Sequence, residues 1–355
     1  MLINVLAFVF VFTLIALSHE IGHLVWAKRA GIRVYELALG FGPRLFSVTK
    51  NNTIYALNLI PILGYVHIAG EGESPEDKTC PEEEKFYTKT PAQRFKALFA
   101  GPLMNVILAF IILTGIFTFV GIPKDLSNEV QTVTKGSPAY SAGLRPGDKL
   151  LAVNGKNFPK MEEAIGFIHQ SSGKEIRLDI LRGADRLSIK ATPKYNASMK
   201  VALLGFSARP IYSRVSLPSA VYYGFEQTLE MVGLMFFILW QLFSGALSLS
   251  NLAGPLGIAQ ITGKYAHSGI VALLNFTALI SVNVGVLNLL PVPAFDGGRL
   301  LFILLEWIRR KLLRPDGRVA YQVHRGWTDW REFPRWSSAP LMSALAGVAA
   351  AETAA

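Results

Sequence analysis

LINVLAFVFVFTLIALSHEIGHLVWA, residues 2–27, decides how the rest of the chain is read. It is apolar through Leu17 and then delivers Ser18, His19, Glu20, Ile21, Gly22 and His23. On a helix, His19 and His23 lie four residues apart and project from one face, where they can hold one metal ion, with Glu20 beside them to accept a proton from water. Two histidines at this spacing can also satisfy each other inside a bundle. Ionisable groups at membrane depth are costly, however, and that cost favours a metal site. No Lys or Arg precedes the apolar core and no clear small-x-small site follows it, so the segment reads as a retained helix and not a cleaved signal peptide.

A catalytic metal of this type usually has three protein ligands and one open position. The missing ligand has a candidate far downstream, where a second apolar run from about Ile270 ends in NLLPVPAFDGG, residues 288–298, with Asp296 its only acid. By itself an Asp-Gly pair marks a turn.

Taken together, HEIGH (19–23), GPLMN (101–105), the phrase GSPAYSAGLRPGDKLLAVNG (136–155) and NLLPVPAFDGG (288–298), in that order, resemble the site-2 protease family of intramembrane zinc metalloproteases. The resemblance is strongest to its bacterial branch, the regulator-of-sigma-E proteases, and covers residues 1–314. It implies Zn²⁺ held by His19, His23 and Asp296, with Glu20 as the catalytic base. It also implies that Asn288 positions substrate or steadies the oxyanion, and it puts Asn105 close to the metal as a second substrate-positioning residue. The implied substrate is a single-span membrane protein, such as an anti-sigma factor, in regulated intramembrane proteolysis. The implied location is the bacterial inner membrane.

Composition agrees with a membrane setting. Of 355 residues, 51% are hydrophobic and 17% charged, too apolar for an ordinary soluble enzyme. The net charge of +10 is not gathered into a basic helix or an aromatic-interleaved run, so attraction to anionic lipid headgroups of the bilayer explains it better than nucleic acid. A single cysteine, Cys80, excludes an intrachain disulfide and a cysteine-based zinc cluster.

The expected fold is a polytopic α-helical membrane protein with a membrane-associated β-hairpin and one inserted soluble PDZ-like α+β domain. Residues 1–27 form the first transmembrane helix, and 28–94 a cytoplasmic or membrane-dipping hairpin and loop, with strands near 45–49 and 53–60 around an Asn51-Asn52 turn and broken by Pro61 and Gly64. The family resemblance sets that β-element beside the active site, where an exposed edge can pair with an unwound substrate. Residues 95–121 form the second span. Residues 122–195 form the extracytoplasmic PDZ-like domain, with strands near 130–133, 149–153, 175–181 and 186–191 and a helix over 161–170. Such domains bind extended peptides or C-termini; the alternative role is a steric filter that limits access to the membrane site.

Residues 196–269 read as a linker, an amphipathic membrane-associated helix carrying Glu226 and Glu230, and a loop at 251–257. Residues 270–314 hold the last span. Lys28, Arg29 and Arg33, then Lys85, Lys89, Arg94 and Lys96, and finally Arg299, Arg309, Arg310, Lys311 and Arg314 place the metal end of the bundle in the cytoplasm. In 315–355 the resemblance fails: the family has a further transmembrane helix, but 319–336 is polar and Trp/Arg-rich and 339–351 is too short to cross a bilayer. That tail reads as divergent, disordered or the product of a shifted reading frame. Two rival functions are a catalytically silent scaffold that captures peptides and a transporter that uses the polar residues as an ion path; the intact Glu20 argues against the first.

Overall fold

The computed structural model describes residues 2–71, 74–196, 201–247 and 254–309. In chain order the elements are α1 (Leu2–Arg29), β1 (Val34–Lys50), β2 (Thr53–Ile68), α2 (Pro91–Phe119), β3 (Ile122–Val133), α3 (Pro138–Ser141), β4 (Lys149–Val153), α4 (Met161–Gln170), β5 (Ile176–Arg182), β6 (Asp185–Ala191), β7 (Lys194–Asn196), β8 (Val201–Leu203), β9 (Phe206–Ser213), α5 (Leu217–Phe243), α6 (Pro255–His267), α7 (Ile270–Asn288) and α8 (Asp296–Arg309). Among the described residues, α1, α2 and α7 are long and apolar enough to cross a membrane. The described residues divide into two units, one of 2–115 with those from 222 to 309, the other 116–221.

In the first unit, glycines let the long helices meet backbone to backbone. A Cβ on Gly22 of α1 would lie 2.2 Å from the Ala100 carbonyl oxygen of α2, and one on Gly285 of α7 would lie 2.8 Å from the Pro102 carbonyl oxygen. The Ser18 hydroxyl donates to the Met104 carbonyl at 2.9 Å, and the Ser281 hydroxyl to the Asn105 carbonyl at 2.7 Å. Close approach plus hydroxyl-to-carbonyl bonds is how helices associate where no hydrophobic force separates protein from lipid. Leu24, Ala27, Val34, Ile68, Leu98 and Ile303 fill the space where α1, the root of the hairpin, α2 and α8 join.

The β1–β2 hairpin is longer and more folded than the sequence predicts. Strand pairing runs from Val34↔Ile68 to Lys50↔Thr53, with the turn supplied by Asn51 and Asn52 at φ of +49° and +58°. Glu36, Leu37, Ala38 and Leu39 pair on one side with His67, Val66, Tyr65 and Gly64, and on the other with Ile54, Tyr55, Ala56 and Leu57. The segments therefore lie in the order 46–50, 53–57, 36–39, 64–68, with 46–50 and 64–68 at the two edges, and Pro61 and Gly64 lie within β2 instead of breaking it. An edge tolerates a proline, because no ladder partner needs its missing N–H. The far half of the hairpin leaves Phe41, Leu45, Phe46 and Leu59 exposed.

Other boundaries also move. Helix α2 begins at Pro91, before the expected 95, and carries Pro102 inside it. Residues 255–267, read from sequence as partly loop and linker, form α6, opened by Pro255 at its first turn. The last segment is two helices, because Pro291 and Pro293 end α7 and α8 restarts at Asp296. Helix α5 exposes Tyr222, Phe225, Phe237 and Trp240 together with Glu226 and Glu230, and buries Ala220, Thr228, Met235 and Leu239. The tail 315–355 lies outside the described residues, as do Arg310, Lys311, Arg314 and 251–253 of the expected loop.

The second unit is a five-stranded sheet in the order β6-β5-β4-β3-β9, over a core of Val130, Leu144, Leu150, Ile168, Leu178 and Ile180. It does not end near 195: β9 pairs with β3 from Ile122↔Ser213 to Val133↔Phe206 and supplies the outer strand. Asp148 organises the 143–148 loop. It is 1% exposed, takes two hydrogen bonds from Arg182 at 2.8 Å each and one from the Arg145 N–H at 2.8 Å, while Arg182 also donates to the Gly143 carbonyl at 2.7 Å. Burial alone would raise this carboxyl; the Arg182 hydrogen bonds outweigh it and hold it below the ordinary 3.8. The folded value is depressed, so its stabilisation is present above about pH 4 and fades as pH falls through the folded value. Asp148→Asn is expected to destabilise this unit by about 3 kcal/mol at neutral pH, and to leave a smaller difference from wild type at pH 3. Hydrogen exchange across 143–153 in the intact protein measures both.

Candidate active site

Helix α1 presents His19 and His23 toward α2, and the first turn of α8 presents Asp296 to the same point. The Nε2 atoms of the two rings lie 3.1 Å apart, and Asp296 Oδ2 lies 3.1 Å from His19 Nε2 and 3.3 Å from His23 Nε2. Donors on a tetrahedral ion with bonds of about 2.0–2.1 Å stand about 3.3 Å apart. These three fit it, and among the described residues they are the only group of three or more His, Cys, Asp or Glu side chains so clustered.

Two further observations support the fit. Asp296 Oδ2 is buried and accepts no hydrogen bond, although both ring nitrogens are within reach. The outer nitrogens of the rings are engaged by α2: the His23 Nδ1–H donates to the Ala97 carbonyl at 2.9 Å, which leaves Nε2 with a free lone pair. His19 Nδ1 faces the Asn105 amide at 3.3 Å. Asn105 is fully buried and its Oδ1 has no partner as placed; rotating the amide by half a turn puts that oxygen where it accepts the His19 Nδ1–H. Both rings then carry their proton on Nδ1 and aim Nε2 lone pairs at Asp296.

Asn105 therefore sits behind a histidine, with 0% exposure, a position from which it can orient the His19 ring. The expected result of Asn105→Ala is a fall in zinc affinity of about 10- to 100-fold, read by competition with a chromogenic chelator. Unchanged affinity would rule the role out.

Glycine makes the pocket possible. A Cβ on Gly101 would sit 2.3 Å from His23 Nε2 and 2.9 Å from His19 Cε1, so only a residue without a side chain lets α2 approach both rings. At the other end, Cβ atoms on Gly297 and Gly298 would meet the Leu290 and Val292 carbonyl oxygens at 2.2 and 2.4 Å, so the Pro-containing loop can close over the first turn of α8 and fix Asp296. Sequence spacing gives no sign of the Ala97 and Asn105 contacts, since both depend on which face of α2 turns toward α1.

Glu20 is partly buried on α1 beside the hairpin. A Cβ built on Gly64 would lie 3.0 Å from Glu20 Cγ, and the Thr13 hydroxyl donates to the Pro61 carbonyl, so the 61–64 segment lies along this face of α1. Leu63, next to Gly64, holds φ of +72°, which is strained for a bulky side chain. Asn288 is the last residue of α7 and half-buried; it has no hydrogen bond to His19, Glu20, His23 or Asp296.

The sequence profile of peptidase family M50 matches residues 7–325. The chain belongs to peptidase family M50. Curated relatives include the zinc metalloprotease RasP of Shouchella clausii, 32% identical over 90% of this chain and 94% of that one. The regulator of sigma-W protease RasP of Bacillus subtilis is 30% identical, over 91% and 94%. Among solved structures, the PDZ domain of an SdrC-like protein from Listeria monocytogenes aligns at 19% identity over 24% of this chain and 90% of that one, with a TM-score of 0.22. As an M50 peptidase, the protein is a metalloprotease with zinc as its cofactor, and a membrane protein.

Proposed function

We propose that this M50 peptidase is an intramembrane endopeptidase that cleaves the transmembrane segment of single-span proteins. The observation that carries the reading is the convergence of His19, His23 and Asp296 on one point of an apolar helix that also carries Glu20. His19, His23 and Asp296 would hold the zinc, which when bound would polarise the scissile carbonyl and lower the pKa of water toward about 7. The Glu20 carboxylate accepts the proton of the attacking water and passes it to the departing amide nitrogen. Asn105 and the Ala97 carbonyl keep the imidazoles turned inward. Asn288, at the end of α7, steadies the substrate carbonyl oxygen.

A transmembrane helix satisfies its own backbone and hides the scissile bond, so the substrate has to unwind locally before attack. The edge segment 64–68 offers the unwound stretch hydrogen-bond partners next to Glu20. The basic residues of the 28–94 region favour a metal end on the cytoplasmic side of the bacterial inner membrane, and by the same reading the 122–195 region outside. The exposed apolar half of the hairpin dips into lipid.

The second unit acts as a PDZ-like peptide recogniser or filter. A cleft of 330 Å³ lies between Leu126 and Ser127 of β3, β4, and Met161 and Ala164 of α4. The Leu126 N–H there already donates to Glu162 at 2.8 Å, so a peptide strand entering the cleft has to displace that carboxylate. The relative named as a regulator of sigma-W protease points to regulated proteolysis of an anti-sigma-type substrate.

The test is a reconstituted cleavage assay on a single-span model substrate, with wild type, chelated wild type and Glu20→Gln compared and zinc measured in each. Cleavage that is lost on chelation and restored by zinc supports the proposal. Equal cleavage in all three overturns it.

A further inference from the structure

Asp296 is held differently from the two histidines. His19 and His23 share a helix and have their outer nitrogens tied to α2. Asp296 rides on α8, which buries Leu300 and Ile303 but leaves Leu301, Leu304, Leu305, Trp307 and Ile308 exposed. Apolar packing alone gives such a helix little rotational definition. Two ion pairs tie it down, one at each end, and only the first stands next to Asp296. Arg299, one turn beyond Asp296, pairs with Glu71, and Arg94 of α2 pairs with Glu306 at 2.5 Å near the other end.

The first pair has a particular geometry. Glu71 lies three residues beyond the end of β2, the strand whose Gly64 is set against Glu20. Its partner Arg299 is at position i+3 from Asp296, a spacing at which side chains on one helix reach each other. A guanidinium released there would find the Asp296 carboxylate as its nearest acid on α8 and compete with any cation for it. Both partners are partly shielded, at 32% and 16% side-chain exposure, so their attraction is stronger than that of a surface pair.

We propose that Glu71 is a positioning residue for the metal site: by holding Arg299 it keeps the guanidinium off Asp296 and fixes the carboxylate toward His19 and His23, linking the third ligand to the strand beside Glu20. This rests on the metal-site reading given above.

The test uses the purified full-length protein in detergent and follows zinc release to a chromogenic chelator, with zinc content and thermal midpoint measured in parallel. Glu71→Gln is expected to release zinc about tenfold faster than wild type, as when partners outside the ligand set are lost. Glu71→Gln/Arg299→Gln is expected to release it more slowly than Glu71→Gln alone, because the competing guanidinium is gone. Arg94→Gln, which cuts the other ion pair, is expected to lower the thermal midpoint without accelerating release. Wild-type release from Glu71→Gln overturns the proposal, and so does a double variant no slower than Glu71→Gln or an Arg94→Gln variant that is equally fast. Asp296→Asn separates the two layers. If it keeps a full complement of zinc, the metal-site reading fails and the role of Glu71 with it; if it loses zinc while Glu71→Gln does not, only the role of Glu71 fails.

Discussion

Glu20→Gln is expected to reduce peptide cleavage by about a thousandfold while leaving zinc bound at wild-type stoichiometry. Glu20 is the only acid of α1 and lies beside its two histidines, and general-base assistance is worth about 10²–10⁴ in rate. Glutamine keeps the shape that packs against Gly64, so neither the hairpin nor the histidines should shift. Cleavage within tenfold of wild type would mean that another group takes the proton. Zinc lost together with activity would mean that Glu20 helps to hold the ion.

Gly101→Ala should be nearly as damaging for a different reason. The added methyl would stand 2.3 Å from His23 Nε2, on the atom that has to face the metal. Helix α2 cannot back away easily, because it touches α1 at Gly22 and α7 at Gly285. Overpacking at such a contact costs about 1–3 kcal/mol and occasionally more; here the strain falls on the ligand atoms, so zinc affinity should drop by about 100-fold with the helices still folded. Gly115→Ala on the same helix is the comparison, since nothing lies within 4 Å of a Cβ there; it should bind zinc as wild type does. Equal affinity in the two variants would show that the site relaxes around the methyl.

Much of the helical framework can be read directly from the sequence, because uninterrupted apolar runs and the four-residue interval between His19 and His23 both follow from helix geometry. Asp296 is harder. Nothing in the NLLPVPAFDGG stretch states that its carboxylate meets the imidazoles, and only reading the motifs together pairs them. Local reasoning misleads where tertiary pairing overrides it. Pro61 and Gly64 look like strand breakers but lie within β2, Gly64 at the start of an edge segment and Pro61 where no ladder partner needs its missing N–H. Residues 206–213, with Pro210 among them, look like linker and instead complete a sheet by pairing with β3. Asn105 is the instructive site residue: polarity within an apolar span marks it as important, yet its direction behind the His19 ring depends on how α2 is rotated against α1.

The seam at Gly22 bears on how a polypeptide gains entry. Two backbones in direct van der Waals contact make a wall that does not part without losing every contact along it, so α1 and α2 behave as a fixed jamb. The 61–64 segment on the hairpin side has no such backbone seam, and Leu63 there holds a φ of +72° that is strained for a bulky residue, so it is expected to yield to an incoming chain before the helices do.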